Sequence, residues 1–221
     1  MKKKSKTKIC IIVCNGIISQ HILKPFIYRT PPIPIFSADG ASNTLYKLKI
    51  RPQFIVGDLD SIKRKVLNFY AGRKVTIEEL RDQGHNDLEK AIISAISKKF
   101  SRIFVTGFGG KRDDHTINNF SILKKYSKKV DIRFIDYEYE IFFAKHKEEF
   151  DYRKGETISL EGMPAAYGIR TYGLKFGLKN QTLEFGKKEG ALNEAIEEHI
   201  KIVFKKGDLL IFRKHFSRLL E

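Results

Sequence analysis

Short apolar runs alternate with segments of helical periodicity up to about Lys145. Most of the apolar runs contain few polar positions, which is typical of strands that are covered on both faces. The strands are predicted at Ile9–Val13, Ile33–Ser37, Phe54–Val56, Lys74–Ile77, Arg102–Thr106 and Asp131–Ile135, and the helices at Ile62–Tyr70, Asp87–Ser97 and His115–Tyr126. This alternation predicts a three-layer α/β nucleotide-binding domain with a mostly parallel sheet over residues 1–145.

The pattern changes after Lys145, where short alternating segments are separated by glycine-rich turns. The segments are Thr157–Leu160, Gly168–Tyr172, Leu183–Phe185, Ile200–Phe204 and Leu209–Phe212. Such spacing is typical of a small all-β sandwich, so we expect a second domain over residues 146–221, with the boundary within Ala144–Phe150.

The chain has 221 residues and a formal net charge of +16, which makes nucleic-acid binding a hypothesis to weigh. The basic residues are spread along the chain, mostly at helix ends and in turns, so solvated faces account for them and no nucleic-acid partner is expected. No apolar run approaches the roughly 18 residues that span a bilayer, so no membrane partner is expected either.

The N-terminus places a lysine-rich stretch, Met1–Lys8, before the short run Ile9–Val13. That run is too short for a secretory signal and lacks a cleavage pattern, so we expect a basic tail that leads into a first strand. Cys10 and Cys14 share this strand, where a disulfide does not close easily. Two buried, reduced thiols and a cytoplasmic location are the prediction.

Acidic motifs follow the predicted strands directly, where ligands bind in open α/β sheets. Asp39-Gly40-Ala41 either caps a helix or belongs to a site. In Gly57-Asp58-Leu59-Asp60-Ser61, two carboxylates of an extended segment would project to the same side, which suits Mg²⁺, and Ser61 could cap the next helix. A purely structural role for this cluster is the alternative.

Two further motifs bring charges of both signs. Asp82-Gln83 precedes Asp87 and Lys90, which share a helix face and suit either a site or an ordinary surface ion pair. The turn Gly107–His115 carries Arg112, and its free amides at a helix start favour phosphate, although it is not a P-loop. His115 alone is either a packing residue or a base. Carboxylates beside cations indicate a magnesium-bound polyphosphate and phosphoryl-type transfer.

Taken in order, these motifs resemble those of the thiamine pyrophosphokinase family over nearly the whole chain. The residues that carry the resemblance are Asp39-Gly40-Ala41-x-Asn43, Gly57-Asp58-x-Asp60-Ser61-Ile62, Asp82-Gln83-x-x-Asn86-Asp87-x-x-Lys90-Ala91, Gly110-Lys111-Arg112-x-Asp114-His115, Gly173-Leu174-Lys175-Phe176 and Gly190-Ala191-Leu192-Asn193-Glu194. The family's fold, an α/β nucleotide domain followed by a β-sandwich in a homodimer, is also the fold expected above.

The resemblance implies transfer of a pyrophosphoryl group from ATP to the hydroxyl of thiamine, giving thiamine diphosphate and AMP. It implies a Mg²⁺ ion held by Asp58, Asp60 and Asp87, with Asp39 and Asp114 completing the catalytic carboxylates. By the same analogy the nucleotide and its phosphates would be bound by Asn15, Gly16, Gln83, Lys90, Arg112 and His115. Phe176 and Asn193 would belong to the thiamine site, at the dimer interface.

The chain departs from the family pattern at Ala191-Leu192, where relatives usually carry a hydroxyl before the asparagine. The lost hydrogen bond would cost about 1 kcal/mol of acceptor binding. Lys111 and Asn86 are smaller departures that remove no needed charge. Two rival functions remain: a metal-dependent sugar-nucleotide or other nucleotidyl transferase, suggested by Asp58-Leu59-Asp60, and a basic nucleotide- or RNA-binding regulator, suggested by charge.

Overall fold

The computed structural model describes residues 7–215, so most of the predicted basic tail lies outside the described residues. The chain forms two compact units that divide between Tyr137 and Glu138. Within the described residues, no helix is long and apolar enough to cross a bilayer.

The N-terminal unit alternates strands and helices as the apolar pattern predicts. Its elements are β1 Ile9–Val13, α1 Gln20–Ile27, β2 Ile35–Ala38, α2 Ala41–Lys47, β3 Phe54–Gly57, α3 Arg64–Ala71, β4 Thr76–Glu79, α4 Asp87–Ser97, β5 Arg102–Thr106, α5 Asp113–Ser127 and β6 Asp131–Ile135. The strands lie in the order β4-β3-β2-β1-β5-β6, and each neighbouring pair is parallel. Their carboxyl ends therefore meet at one edge.

Burial in this unit follows the sequence closely. Strands β1 and β5 are buried at every position after their first residue, and both thiols, Cys10 and Cys14, are buried and free. Helix α4 begins after Asn86, whose side chain accepts the N–H of Glu89 at 2.9 Å, as an N-cap should. Its apolar face then packs inward through residues such as Ile92.

Among the described residues of the C-terminal unit, every regular element is a strand. They are β7 Tyr139–Phe143, β8 Lys147–Asp151, β9 Thr157–Tyr172, β10 Lys179–Glu184, β11 Gly190–Glu194, β12 His199–Val203 and β13 Lys206–Lys214. All their pairings are antiparallel, and β9 pairs with β10, β11, β12 and β13. Alternating apolar residues from these strands form one core that includes Ile158, Leu160, Ile202 and Ile211.

The structure confirms the predicted α/β class. Over the described residues, however, strand pairing is mixed and largely antiparallel, because the strands after Tyr137 contribute antiparallel pairs alone. The parallel pairs belong to the N-terminal unit, a mostly parallel sheet does not hold over the described residues as a whole, and the three-layer arrangement stays a prediction. Strand β9 also joins the predicted segments Thr157–Leu160 and Gly168–Tyr172 into a single strand, so the glycine-rich turn expected between them was wrong.

Candidate functional site

A cleft of about 390 Å³ opens where β1, β2 and β5 end. The parallel pairing of these strands brings the segments that follow them to one edge of the sheet, as expected for a ligand site of an open α/β sheet. The cleft is lined by Cys14, Asn15, Gly16, Ala38, Ser61, Asn86, Asp87, Leu88, Gly107, Phe108, Gly109, Lys111, Arg112, His115 and Asn119. The lining thus combines three glycines with the cations Lys111 and Arg112 and the carboxylate of Asp87.

Three carboxylates that are distant in sequence converge in the N-terminal unit. One oxygen from each of Asp39, Asp58 and Asp87 lies within 4.8 Å of the other two. The Lys90 ammonium is 3.3 Å from Oδ2 of Asp58 and 3.7 Å from Oδ1 of Asp87. Because the Lys90 side chain is only 4% exposed, its positive charge is compensated mainly by these two carboxylates.

Gly57 makes this convergence possible. A Cβ at this position would lie 2.7 Å from Cβ of Asp39 and 3.0 Å from Oδ1 of Asp87. The first distance is shorter than real Cβ contacts allow, so any larger residue at the end of β3 would push the carboxylates apart. The close approach of the ends of β2 and β3 therefore requires a glycine at position 57.

Asp39 is fully buried, and its two carboxylate oxygens differ. Oδ2 accepts the Ser61 N–H at 3.0 Å, whereas Oδ1 has no hydrogen-bond partner among the described residues. Burial raises the pKa of Asp39 to about 6 against the hydrogen bond from Ser61, and the neighbouring carboxylates add to the rise. An orphaned buried oxygen of this kind is costly unless another group binds it.

The other two carboxylates have opposite tendencies. Burial acts to raise the pKa of Asp58, but hydrogen bonds from the Asp60 N–H and from Lys90 outweigh it, so this pKa is lowered. Burial, followed by the charge of Asp58, raises the pKa of Asp87. Clustered carboxylates that repel one another are stabilised by a cation, and a hard divalent ion such as Mg²⁺ prefers oxygen ligands. The donor set, with its orphaned Asp39 oxygen, fits that ion.

Asp60 lies outside this group of three. The segment is not extended as expected, because β3 ends at Gly57 and Leu59 has φ 66°. The turn breaks the alternation that would have put Asp58 and Asp60 on the same side. Asp60 is exposed and accepts the Ser61 hydroxyl at 2.8 Å, while Ser61 does not cap α3, whose N-cap is Lys63.

The glycine-rich turn after β5 packs closely on the segment after β1. The N–H of Gly16 donates to the Gly107 carbonyl at 2.8 Å, and a Cβ on Gly16 would lie 2.3 Å from that oxygen. Lys111 donates to Oδ1 of Asn15 at 3.3 Å across the same gap. The predicted nucleotide-binding residues Asn15 and Gly16 are therefore fixed against the turn that carries the basic residues.

Arg112 and Asp114 form a two-point ion pair at the start of α5. Two guanidinium nitrogens of Arg112, Nη2 and Nε, lie 2.6 and 3.1 Å from the two Asp114 oxygens. The hydrogen bonds from Arg112 lower the pKa of Asp114 to about 2. Both side chains are exposed, so a phosphate can compete for the guanidinium at little cost. His115 lines the cleft beside them.

The loop before α4 is held by a network that sequence analysis missed. Asp82 bonds to Nδ1 of His85, and Nε2 of His85 lies 3.9 Å from the buried Glu89. Glu89 also accepts the Tyr126 hydroxyl at 2.8 Å and lies 2.5 Å from the Lys125 ammonium. The acidic Glu89 within the apolar helix α4 was a local signal of such a network. Its partner Tyr126 lies 37 positions away in sequence, so no local pattern could indicate the contact. The predicted Gln83 is exposed and does not line the cleft.

In the C-terminal unit, Asn193 holds the segment around Phe176. Its side chain accepts the Phe176 N–H at 3.0 Å and donates to the Phe176 carbonyl at 2.9 Å. Asn193 is buried, whereas the Phe176 ring is 63% exposed. The amide is therefore occupied by backbone, and the aromatic ring remains available to a ligand. Leu192, at the departure from the family pattern, is also exposed.

Comparison with known proteins assigns the family. Residues 34–135 match the family described as the thiamin pyrophosphokinase catalytic domain. The sequence is 32% identical to thiamine pyrophosphokinase 2 of Arabidopsis thaliana, over 92% of this chain and 85% of the relative. The chain belongs to the thiamine pyrophosphokinase family.

Solved structures of thiamine pyrophosphokinases share the fold. The Bacillus subtilis enzyme superposes with a TM-score of 0.79 at 25% identity, covering 94% of this chain and 99% of that one. The Candida albicans protein gives a TM-score of 0.79 at 20% identity, over 94% and 89% of the two chains, which supports the fold alone. The likeness thus extends over both units.

The residues predicted from the motifs fall into three places in the chain. Asn15, Gly16, Asp87, Arg112 and His115 line the cleft, and Asp39, Asp58 and Lys90 lie next to Asp87; we call the cleft together with this group the acidic cleft. Asp60 and Asp114 accept hydrogen bonds from Ser61 and Arg112, and Gln83 is exposed. Phe176 and Asn193 lie together in the C-terminal unit.

Proposed function

We propose that the acidic cleft carries out pyrophosphoryl transfer from ATP to thiamine. The chain has thiamine pyrophosphokinase activity, which gives thiamine diphosphate and AMP and makes it an ATP-using transferase of thiamine diphosphate biosynthesis. The observation that supports this location is the group Asp39, Asp58 and Asp87, with Lys90 bridging two of them. Such a group suits a magnesium-bound triphosphate, whose transfer needs positioning and charge neutralisation more than covalent help.

Each residue then has a proposed role. Asp58 and Asp87 would hold Mg²⁺. The third ligand would be Asp39, which lies close to both, or Asp60, which the motif resemblance implies. When bound, the ion would supply charge neutralisation at the phosphates. Lys90, Arg112, Gln83 and His115 would hold the phosphates, Asn15 and Gly16 would border the nucleotide, and Asp114 would orient Arg112.

The second substrate would be bound by the C-terminal domain. We propose that the exposed Phe176 ring stacks on the pyrimidine of thiamine, within a cytoplasmic homodimer whose interface includes this domain. Asn193 would keep the ring-bearing segment in place. The domain assignment, with a three-layer, mostly parallel α/β domain at 1–145 and a thiamine-binding, dimer-forming sandwich at 146–221, belongs to the same proposal.

The rival functions explain less of the molecule. A sugar-nucleotide transferase would use Asp58 and Asp60 together on one metal, yet the turn at Leu59 separates Asp60 from the acidic group. A nucleic-acid-binding regulator has no use for three converging carboxylates, which repel phosphate unless a metal intervenes.

One experiment tests the proposed function directly. Purified protein is incubated with ATP, Mg²⁺ and thiamine, and AMP is resolved from ADP by chromatography. We expect thiamine-dependent AMP that disappears in EDTA and in Asp58→Asn, while Lys65→Gln, a charge change on the exposed face of α3, leaves the rate unchanged. ADP as the sole product would contradict pyrophosphoryl transfer.

A further inference from the structure

A second concavity lies at the other edge of the parallel strands in the N-terminal unit. The chain forms it between α2 and β3 and between α3 and β4, just before these strands begin. Its volume is about 580 Å³, against about 390 Å³ for the acidic cleft. Ligand pockets for small molecules are commonly of this size. It shares no lining residue with the acidic cleft.

The charged groups in this concavity are all cationic. Lys47, Lys49, Arg51 and Arg73 line it, and no Asp or Glu does. Among the residues that the structure describes, none of these four cations lies within 4.0 Å of a carboxylate. Other cations of the same unit, such as Lys98 and Lys125, do have such partners. The four charges therefore remain available to an anion.

Two of the cations are held in place by the pocket itself. The Arg73 guanidinium lies 3.6 Å from the centroid of the Phe69 ring and donates to the Phe69 carbonyl at 2.9 Å. Arg51 makes a longer hydrogen bond, at 3.4 Å, to the Arg73 carbonyl. Each guanidinium has five N–H donors, so most remain free for a ligand. Two ordered guanidinium groups with spare donors suit the oxygens of a phosphate.

The remaining wall is aromatic and rigid. Phe69 packs edge to face against Tyr46 at 4.8 Å and against Tyr70 at 5.3 Å between ring centroids. Tyr70 is 1% exposed, and its hydroxyl donates to the Ile50 carbonyl at 2.8 Å. Tyr46 and Phe69 are partly exposed, so they offer apolar surface to a flat ring, and the buried Tyr70 holds Phe69 in place from behind.

We propose that this concavity, which we call the basic pocket, binds a small phosphorylated compound that carries an aromatic ring. The cations recognise the phosphate and the aromatic wall contacts the ring. A substrate or product of the chain's own reaction has this chemistry, and so do unrelated nucleotides, so the probes below separate the sources. The alternative is that these cations only stabilise the C-terminal ends of α2 and α3 by interacting with the helix dipoles. In that case the basic pocket would bind no such compound.

The test is a binding titration of the full chain followed by backbone NMR, in EDTA so that metal-bound nucleotide in the acidic cleft does not contribute. The probes are AMP, thiamine diphosphate and inorganic pyrophosphate, each added separately. We expect AMP or thiamine diphosphate to shift the amides of residues 46–51 and 69–73, and to bind severalfold more tightly than pyrophosphate does. Shifts confined to residues 107–115, or no saturable shift at all, would overturn the proposal.

A pair of double variants separates a specific site from general charge. Lys49→Gly with Arg51→Gln removes two charges from the basic pocket, and Lys49 has φ 57°, where glycine is favoured, so this variant should fold. Arg64→Gln with Lys65→Gln removes two charges from the exposed start of α3. We expect the first to weaken binding on the order of tenfold and the second to leave it unchanged. Equal losses in both would refute a specific site.

Discussion

The side-chain amide of Asn193 binds both the N–H and the carbonyl of Phe176. An aromatic ring that is 63% exposed is thus attached to a backbone that is fixed on both of its polar groups. Asn193, which the sequence analysis placed in the thiamine site, therefore positions Phe176, whose ring would stack on thiamine. Loss of Asn193 and loss of Phe176 should have related effects on thiamine and different effects on stability.

We predict that Phe176→Ala raises the KM for thiamine with a smaller change in kcat, because stacking contributes equally to the ground state and the transition state. Asn193→Ala should raise the same KM and also lower the free energy of unfolding by about 1 kcal/mol, since it leaves the part-buried N–H and carbonyl of Phe176 without their partner. The double variant should raise KM no more than the worse single variant. Additive KM effects would indicate an independent contact of Asn193 with thiamine.

The identity of the third metal ligand can be tested by three substitutions. Asp58→Asn and Asp87→Asn should nearly abolish turnover and raise the Mg²⁺ concentration needed for half-maximal rate, with the circular dichroism spectrum unchanged. Asp60→Asn should cost less, because the turn at Leu59 takes Asp60 away from the group. If Asp60→Asn is as damaging as Asp58→Asn, the sequence-based set is the correct one.

Lys90 should serve both the phosphates and the fold. Lys90→Met keeps the length of the side chain but leaves Asp58 and Asp87 without their shared cation. We expect kcat/KM for ATP to fall on the order of a hundredfold, and the metal-free protein to be less stable in urea. Lys65→Met, on an exposed face, is the matched control. Unchanged ATP kinetics would exclude Lys90 from phosphate binding.

Asp39 should make the metal-free protein more stable as the pH falls. Its folded pKa of about 6 exceeds the ordinary 3.8, so the ionised group destabilises the folded state above pH 6, and this cost disappears as the pH falls toward 3.8. Asp39→Asn should therefore be more stable than the parent at pH 7.5 in EDTA, by up to about 3 kcal/mol, and similar to it only near pH 3.5, below the unfolded pKa. Urea denaturation of both proteins measures the difference. A difference that does not vary with pH would contradict the shift.

The proposed homodimer predicts a mass near twice 25.6 kDa in sedimentation at micromolar concentration. Exposed apolar residues of the C-terminal unit, including Phe185 and Leu192, give that domain surface to bury against a second copy. A fully active species that sediments as a monomer across this range would rule the dimer out.

Local pattern was enough for elements whose residues are uniform. Strands β1, β5 and β6 and helix α4 have the predicted bounds, because apolar runs and an N-cap are local signals. Helix α1 was missed because it contains Pro25, which argues against a helix interior. Strand β8, with its charged residues Lys147–Asp151, was placed at the domain boundary, although pairing with β12 makes it a strand.

The candidate site was predictable as a set of motifs and not as a geometry. Parallel strands imply that Asp39 and Asp58 share an edge, but the positive φ of Leu59 has no clear signal in a leucine. The buried network of Glu89 and Tyr126 depends on the packing of two helices, which no local spacing encodes. The pairing of Asn193 with Phe176 depends likewise on a turn between strands.

The position of β13 has a consequence for how the protein is made. This strand pairs with β7 and with β9, yet it is the last strand in sequence among the described residues. Since synthesis proceeds from the N-terminus, β7 and β9 leave the ribosome before residues 206–214 are made. Until then, the edges of β7 and β9 that pair with β13 are unpaired. A nascent chain that stalls before Lys206 would expose two strand edges, so truncated products of this gene should aggregate rather than persist as a folded N-terminal unit with a harmless tail.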